Sequence, residues 1–138
     1  MKGAINNMID HITIDVSDLA KSVEFYREAL KPLGYEIVSE LKLDAGVQMV
    51  GFGANNKPDY WIVNGARQVT PLTQNIHIAI RAKNAAQVDE FYRAALAHGG
   101  RDNGKPGPRP HYHEHYYGAF VFDPDGINLE AVCHTHRL

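Results

Sequence analysis

An α+β fold built from two copies of one βαβββ unit is what this sequence predicts. Three observations carry that expectation: an internal repeat, a strict alternation that opens each copy, and a helical spacing that follows it. Residues 11–34, HITIDVSDLAKSVEFYREALKPLG, align without a gap on residues 77–100, HIAIRAKNAAQVDEFYRAALAHGG, at a constant offset of 66, and 11 of the 24 positions are identical. Two copies are too few for a solenoid and predict two equivalent half-domains about a pseudo-twofold axis. The whole chain, 1–138, is then one domain, with module 1 over about 8–66 and module 2 over about 74–138.

Each copy opens as a half-buried strand. Ile12, Ile14 and Val16 alternate with His11, Thr13 and Asp15; Ile76, Ile78 and Ile80 alternate with His77, Ala79 and Arg81. A helix follows. In the first copy Ser17 or Asp18 caps Leu19, Val23, Tyr26 and Leu30, and in the second Asn84 caps Ala85, Val88, Tyr92 and Leu96. Gly34 and the pair Gly99 and Gly100 end these helices. The helix is expected to cover the isoleucine face and leave the histidine face looking elsewhere. Short strands complete each unit, at Tyr35–Ser39, Val47–Phe52 and Tyr60–Val63, then at Tyr116–Phe122 and Asn128–Val132, the last two joined by the turn Asp123-Pro124-Asp125-Gly126. Residues 102–115 read as a loop and 64–75 as the connection between halves.

Composition narrows the function classes. Fourteen basic against 16 acidic residues give a net charge of -2 without a Lys/Arg cluster, so no footprint for nucleic acid or an anionic membrane is present and a small-molecule partner is expected. One cysteine, Cys133, the absence of an apolar leader after Met1 and the lack of an apolar run of the roughly 18 residues that span a bilayer make a cytoplasmic location the expectation. Eight histidines stand out, five of them between His111 and His136, and imidazole is both a common metal ligand and the side chain that titrates near neutrality.

The repeat places the chemistry. Equivalent positions near a pseudo-twofold axis set His11 and His77 facing each other on the concave side. On the last strand Glu130 shares a face with Asn128 and Val132 while Leu129, Ala131 and Cys133 point away, so its carboxylate stands in an apolar strand and needs a partner. Two histidines and a carboxylate with open positions form a facial triad that suits Fe and also takes Mn, Zn, Ni or Co.

HITIDVSDLAKSVEFYREAL, NIHIAI and FDPDGINLEAV together resemble the vicinal-oxygen-chelate superfamily, which includes glyoxalase I, fosfomycin-resistance transferases, bleomycin-binding proteins and extradiol dioxygenases. The resemblance runs from about Met8 to Cys133. It implies a cup-shaped, barrel-like eight-stranded mixed sheet with helices outside, one divalent metal ion held by His11, His77 and Glu130, and a substrate that chelates the ion through neighbouring oxygens. It also implies a homodimer, with the cup made within one chain or by exchange of modules between two. Members that bind antibiotics without metal commonly lack the ligand residues.

Differences among the members weigh on the reaction. Glyoxalase I takes a fourth ligand from the last strand of its first repeat, where this chain has Tyr60-Trp61-Ile62-Val63 and no side chain that ligates a divalent ion. Fosfomycin transferases resemble the chain in having three ligands, an active-site Trp and a Thr two residues after the first His, as Thr13 is here, yet their phosphonate lysine and potassium-loop serines have no counterpart between Arg101 and Gly118. The extradiol signature matches at His113, Asp123, Pro124, Gly126 and Glu130, with Phe120 standing at its tyrosine position. The expected activity is thus metal-dependent and dioxygenase-like, with a glyoxalase-like lyase or isomerase and a metal-free binding protein as the alternatives.

The remaining candidates follow from position. His113 is the candidate acid/base from its spacing, and Tyr116 the candidate catalytic hydroxyl beside it. Thr13, Trp61, Tyr112 and Phe120 are the candidate substrate contacts. In PHYHEHYY alternation sets His111, His113 and His115 on one side. His134 and His136, in the last five residues, are expected to fray.

Overall fold

The computed structural model describes residues 8–64 and 76–137; the expected connection at 64–75 lies, apart from Asn64, outside the described residues. Module 1 runs β1 (Ile12–Asp15), α1 (Leu19–Leu30), β2 (Glu36–Lys42), β3 (Gln48–Ala54) and β4 (Lys57–Val63). Module 2 runs β5 (His77–Arg81), α2 (Ala85–Ala97), β6 (Arg101–Pro108), β7 (Tyr117–Phe122) and β8 (Asn128–Cys133). Each unit is βαβββ, as the repeat predicts.

Local sequence explains the helices. Asp18, extended at φ -140°, accepts the Lys21 backbone N–H and caps α1, while Asn84 accepts that of Gln87 and caps α2. Ser17, the other candidate, instead donates its hydroxyl to Asp125 across the modules at 2.5 Å. The helical spacing puts Phe25, Tyr26, Ala29 and Leu30 of α1 and Val88, Phe91 and Ala95 of α2 in the core. Ile14 and Val16 are buried with them, Ile78 and Ile80 pack against the same cluster, and Ile76, just before β5, stays exposed.

The eight strands divide into two four-stranded mixed sheets, ordered β1-β4-β3-β2 and β5-β8-β7-β6. They do not close into one barrel within the chain. In each sheet the first strand of the module runs parallel to the last, Ile12 beside Tyr60 and His77 beside Asn128. The first strand is therefore an edge, and the histidine at its start lies at that edge. α1 packs against α2, so the modules join through their helices.

The expected loop over 102–115 is corrected in its first half, since Arg101–Pro108 forms β6 against β7. Its prolines and glycines hide the strand because the ladder breaks twice, between Asp102 and Gly104 and between Gly104 and Gly107. His111–His115 is irregular, as the loop reading expects for its second half, and β7 begins at Tyr117 rather than Tyr116. His134 and His136 are not frayed: His136 N–H donates to the His115 carbonyl, and His134 takes a ring contact with His113.

A buried polar chain ties the modules together. Tyr60 donates to the Tyr26 hydroxyl at 2.9 Å, and Tyr26 donates to Asp123 at 2.5 Å. The other oxygen of Asp123 accepts the backbone N–H groups of Asp125 and Ile127, which shapes the turn before β8. Burial lifts the Asp123 carboxyl above its ordinary value, and the hydrogen bonds from Tyr26, Ile127 and Asp125 offset this only in part. Folding thus takes up a proton here between the ordinary and the raised value, so this group lowers stability as pH climbs through that interval and adds no slope above it. In denaturant titrations from pH 3 upward, the stability of the wild type relative to Asp123→Asn is expected to fall as pH rises through that interval and to level off above it.

Candidate metal and substrate site

The register of module 2 builds one face. Phe120 pairs with Glu130 and Phe122 with Asn128 across β7 and β8, while Ala79 of β5 lies beside Glu130. His77, two residues before Ala79, shares its face. Leu129, Ala131 and Cys133 lie on the other face in the core.

Glu130 is almost wholly buried, 1% exposed, and both of its oxygens are used. Oε1 faces Nε2 of His77 at 2.9 Å, and Oε2 accepts the Tyr116 hydroxyl. The partner that a carboxylate in an apolar strand requires is therefore double. Burial, and next the bond to Glu130, push the Tyr116 phenol above its ordinary value, so it keeps its proton and acts as a donor. Gly118 makes room for this pair: a Cβ there would stand 3.2 Å from both Glu130 Oε2 and Tyr116 Cε1.

Module 1 supplies a separate hollow of about 390 Å³, lined by Asp10, His11, Thr13, Met49, Lys57, Pro58 and Trp61. Trp61 stands opposite Thr13 in the β1–β4 register. Nδ1 of His11 meets Asp10 Oδ1 at 2.6 Å, and Lys57 holds Asp10 through its backbone carbonyl at 2.7 Å and its carboxylate at 3.3 Å. Those contacts, the His11 bond first, hold the Asp10 carboxyl below its ordinary value. A carboxylate on Nδ1 requires the proton there and leaves Nε2 of neutral His11 with its lone pair, the orientation in which carboxylates present histidines to metals.

Within one chain the structure brings His77, Glu130 and Tyr116 together and leaves His11, Thr13 and Trp61 in the other module. Among the described residues no group of three His, Cys, Asp or Glu side chains converges on a point where one ion could sit. His77 and Glu130 meet at hydrogen-bonding distance, and His11 lies in the other module.

His113 is not beside Glu130. Its Nδ1 accepts the His115 backbone N–H at 3.1 Å, so in the neutral ring Nε2 carries the proton and donates to His134 Nδ1 at 2.9 Å. Both nitrogens are engaged. The ring also stands edge-on to Tyr116, 5.3 Å between centroids, as His134 does at 5.4 Å, and the two imidazoles stack on each other at 5.1 Å, so the three rings form one triangular cluster. Tyr112 touches Tyr116 at 4.9 Å and is otherwise exposed. Phe120 lies between His77, 6.0 Å away, and the guanidinium of Arg109, 5.5 Å away.

Sequence reasoning missed Asp10, Lys57, Arg109 and His134. The Asp-His pair at the start of β1 carried a signal, since a carboxylate next to a candidate ligand is its usual orienting partner. Arg109 and His134 had none, because broken pairing at β6 and a long-range ring contact bring them in.

Comparison with known proteins agrees with this architecture. The family described as Glyoxalase/Bleomycin resistance protein/Dioxygenase superfamily matches residues 8–131. The chain is similar in structure to a glyoxalase/bleomycin resistance protein from Albidiferax ferrireducens T118, at TM-score 0.77 and 24% identity over 92% of this chain and 99% of that one. It is similar to glyoxalase I from Zea mays at TM-score 0.69 and 20% identity, over 91% of this chain and 45% of that one. A glyoxalase-related enzyme from Fulvimarina pelagi gives TM-score 0.63 and 19% identity over 91% and 87%. No curated protein matches the chain.

Proposed function

Because the chain belongs to the Glyoxalase/Bleomycin resistance protein/Dioxygenase superfamily, we propose that it is a divalent-metal-dependent enzyme whose centre is completed by two copies of the chain. His77 and Glu130 of one copy and His11 of the other hold the ion. The observation that carries this reading is the His77–Glu130 pair, buried on the carboxylate side, facing outward from a module whose helix packs against the other module. The donor chemistry fits: two imidazoles and one carboxylate suit Fe, Mn, Zn, Ni or Co.

The exchange of modules is supported by the sheet edges. β1 and β5 each end a four-stranded sheet, with no strand beyond them among the described residues, and an uncovered edge invites another strand. Met8 and Ile9, 98% and 74% exposed, lead into β1. Laying β1 of one copy beside β5 of another continues eight strands into the expected cup and sets His11 near His77. The hollow at Thr13, Trp61 and Met49 then forms one wall of the substrate cavity and Phe120 the other.

A divalent ion there would draw two neighbouring oxygens of a small substrate and stabilise the anion they form. The chain's own part is positional. Tyr116 donates to Glu130 and fixes which oxygen faces His77, His113 and His134 hold Tyr116, and Asp10 holds His11. With three donors and no ligand on the Tyr60–Val63 strand, the centre leaves room for a chelating substrate and a further small molecule, which favours a dioxygenase-like reaction.

Metal titration followed by elemental analysis tests this. One ion per chain is expected, and Tyr116→Phe should weaken its binding by roughly 10–100-fold, the usual loss when a ligand's hydrogen-bond partner is removed. Oxygen uptake with catechols by anaerobically loaded protein identifies the dioxygenase. Metal bound without uptake turns the reading to a lyase or isomerase, and a preparation that takes up no stoichiometric metal overturns it in favour of a binding protein.

A further inference from the structure

The face of module 2 that carries His77 and Glu130 also carries a positive charge with no carboxylate paired to it among the described residues. Arg109 lies over the ring of Phe120, the β7 register partner of Glu130, at 5.5 Å, and Phe120 in turn lies 6.0 Å from His77. Its guanidinium is aimed by backbone carbonyls: Nη1 donates to Gly107 and Pro108 at 2.9 and 3.4 Å, and Nη2 donates to Lys105 at 2.8 Å. Among the described residues no carboxylate pairs with it. Of five N–H groups three are used, which leaves Nε–H and one Nη2–H, enough for a two-oxygen acid group.

The breaks in β6 exist around this side chain. A Cβ on Gly104 would come within 3.0 Å of the Phe120 ring and 3.5 Å of Arg109 Nη2, and one on Gly107 within 3.2 Å of Nη1. Two glycines therefore hold open the space in which the guanidinium lies over the aromatic ring. A second guanidinium, that of Arg101, stacks on the next ring of the same face, Phe122, at 5.0 Å. A carbonyl-braced, uncompensated cation on an aromatic floor is a pre-oriented receptor for an anion, since its ordering entropy is spent before the ligand arrives.

We propose that Arg109 receives a carboxylate of the substrate, so that the substrate class is a small organic acid bearing its two vicinal oxygens at the end remote from the acid group. This rests on the proposed metal-chelating function, and it deepens that function by naming what the rest of the substrate carries. Lys57, the cation of the module 1 hollow, does not compete for the role, because Asp10 already neutralises it.

Calorimetric titration of the metal-loaded protein with protocatechuate and with its neutral methyl ester tests the assignment. Both carry the same vicinal hydroxyls, and only one carries the charge. Arg109→Gln is expected to weaken the acid by roughly 10–100-fold, the worth of a charge-assisted hydrogen-bonded pair, while changing the ester by less than about 2-fold. Arg109→Lys should recover part of the loss. Equal loss for acid and ester would make Arg109 a brace for β6 alone, and no loss for either would remove it from the site; both results overturn the proposal. If the ester binds and the acid binds no better, the acid preference fails while metal chelation stands. If neither probe binds the loaded wild type, the chelation reading falls and takes this assignment with it.

Discussion

Tyr26→Phe is expected to destabilise the protein by about 2–4 kcal/mol, although it removes one oxygen atom from the interior. The Tyr26 hydroxyl is the middle member of a buried chain, accepting from Tyr60 and donating to Asp123, and none of the three side chains is more than 1% exposed. Without it the Tyr60 hydroxyl loses its acceptor and one Asp123 oxygen loses its donor at a position sealed from bulk solvent, so the cost is that of stranded buried polar groups rather than of one hydrogen bond. Tyr60→Phe removes only the terminal donor and should cost about 1 kcal/mol. For a chain of this length the Tyr26 change corresponds to a fall in Tm on the order of 10 °C. Equal effects for the two variants in thermal melts would mean that Asp123 does not depend on Tyr26.

Metal affinity is expected to fall by more than about 100-fold in Glu130→Gln, a larger loss than removal of an outer partner causes. The amide keeps the size of the side chain and loses the charge, and Glu130 lies at the centre of the site, between His77 and Tyr116. His11→Ala is expected to lose metal comparably even though His11 is in the other module, since without it only the His77–Glu130 pair remains. Secondary structure should be retained in both variants, because neither side chain belongs to the apolar core. Retention of tight binding in His11→Ala, read by competition with a chelator, would leave the centre to module 2 alone.

The repeat made the fold legible, because duplicated residues report a duplicated unit and the alternation at Ile12–Val16 and Ile76–Ile80 has one structural meaning. β6 was hidden, since a strand with two broken stretches, two glycines and two prolines carries loop composition. Glu130 and His77 were legible as a pair on one face, and the structure brings them to 2.9 Å. What the sequence could not convey is the relation between modules. Alternation orients a side chain within its own sheet, whereas the packing of α1 against α2 and the Ser17–Asp125 and Tyr26–Asp123 bonds decide where the two sheets sit. Nor did the spacing in PHYHEHYY indicate that His113 turns to His134 and Tyr116 to Glu130, as both contacts join segments far apart in the chain.

Subunit exchange between two inactive variants tests the composite centre most directly. His11→Ala and Glu130→Gln chains, each deficient in metal alone, are mixed under conditions that allow protomers to redistribute, and tightly bound metal is counted on the isolated mixed dimer. A centre shared between copies predicts one ion per mixed dimer, because His11 of the Glu130→Gln chain meets His77 and Glu130 of the His11→Ala chain at one of the two sites. No recovery in a mixed dimer of demonstrated composition would contradict the account, for it would require every donor of a site to come from the same chain.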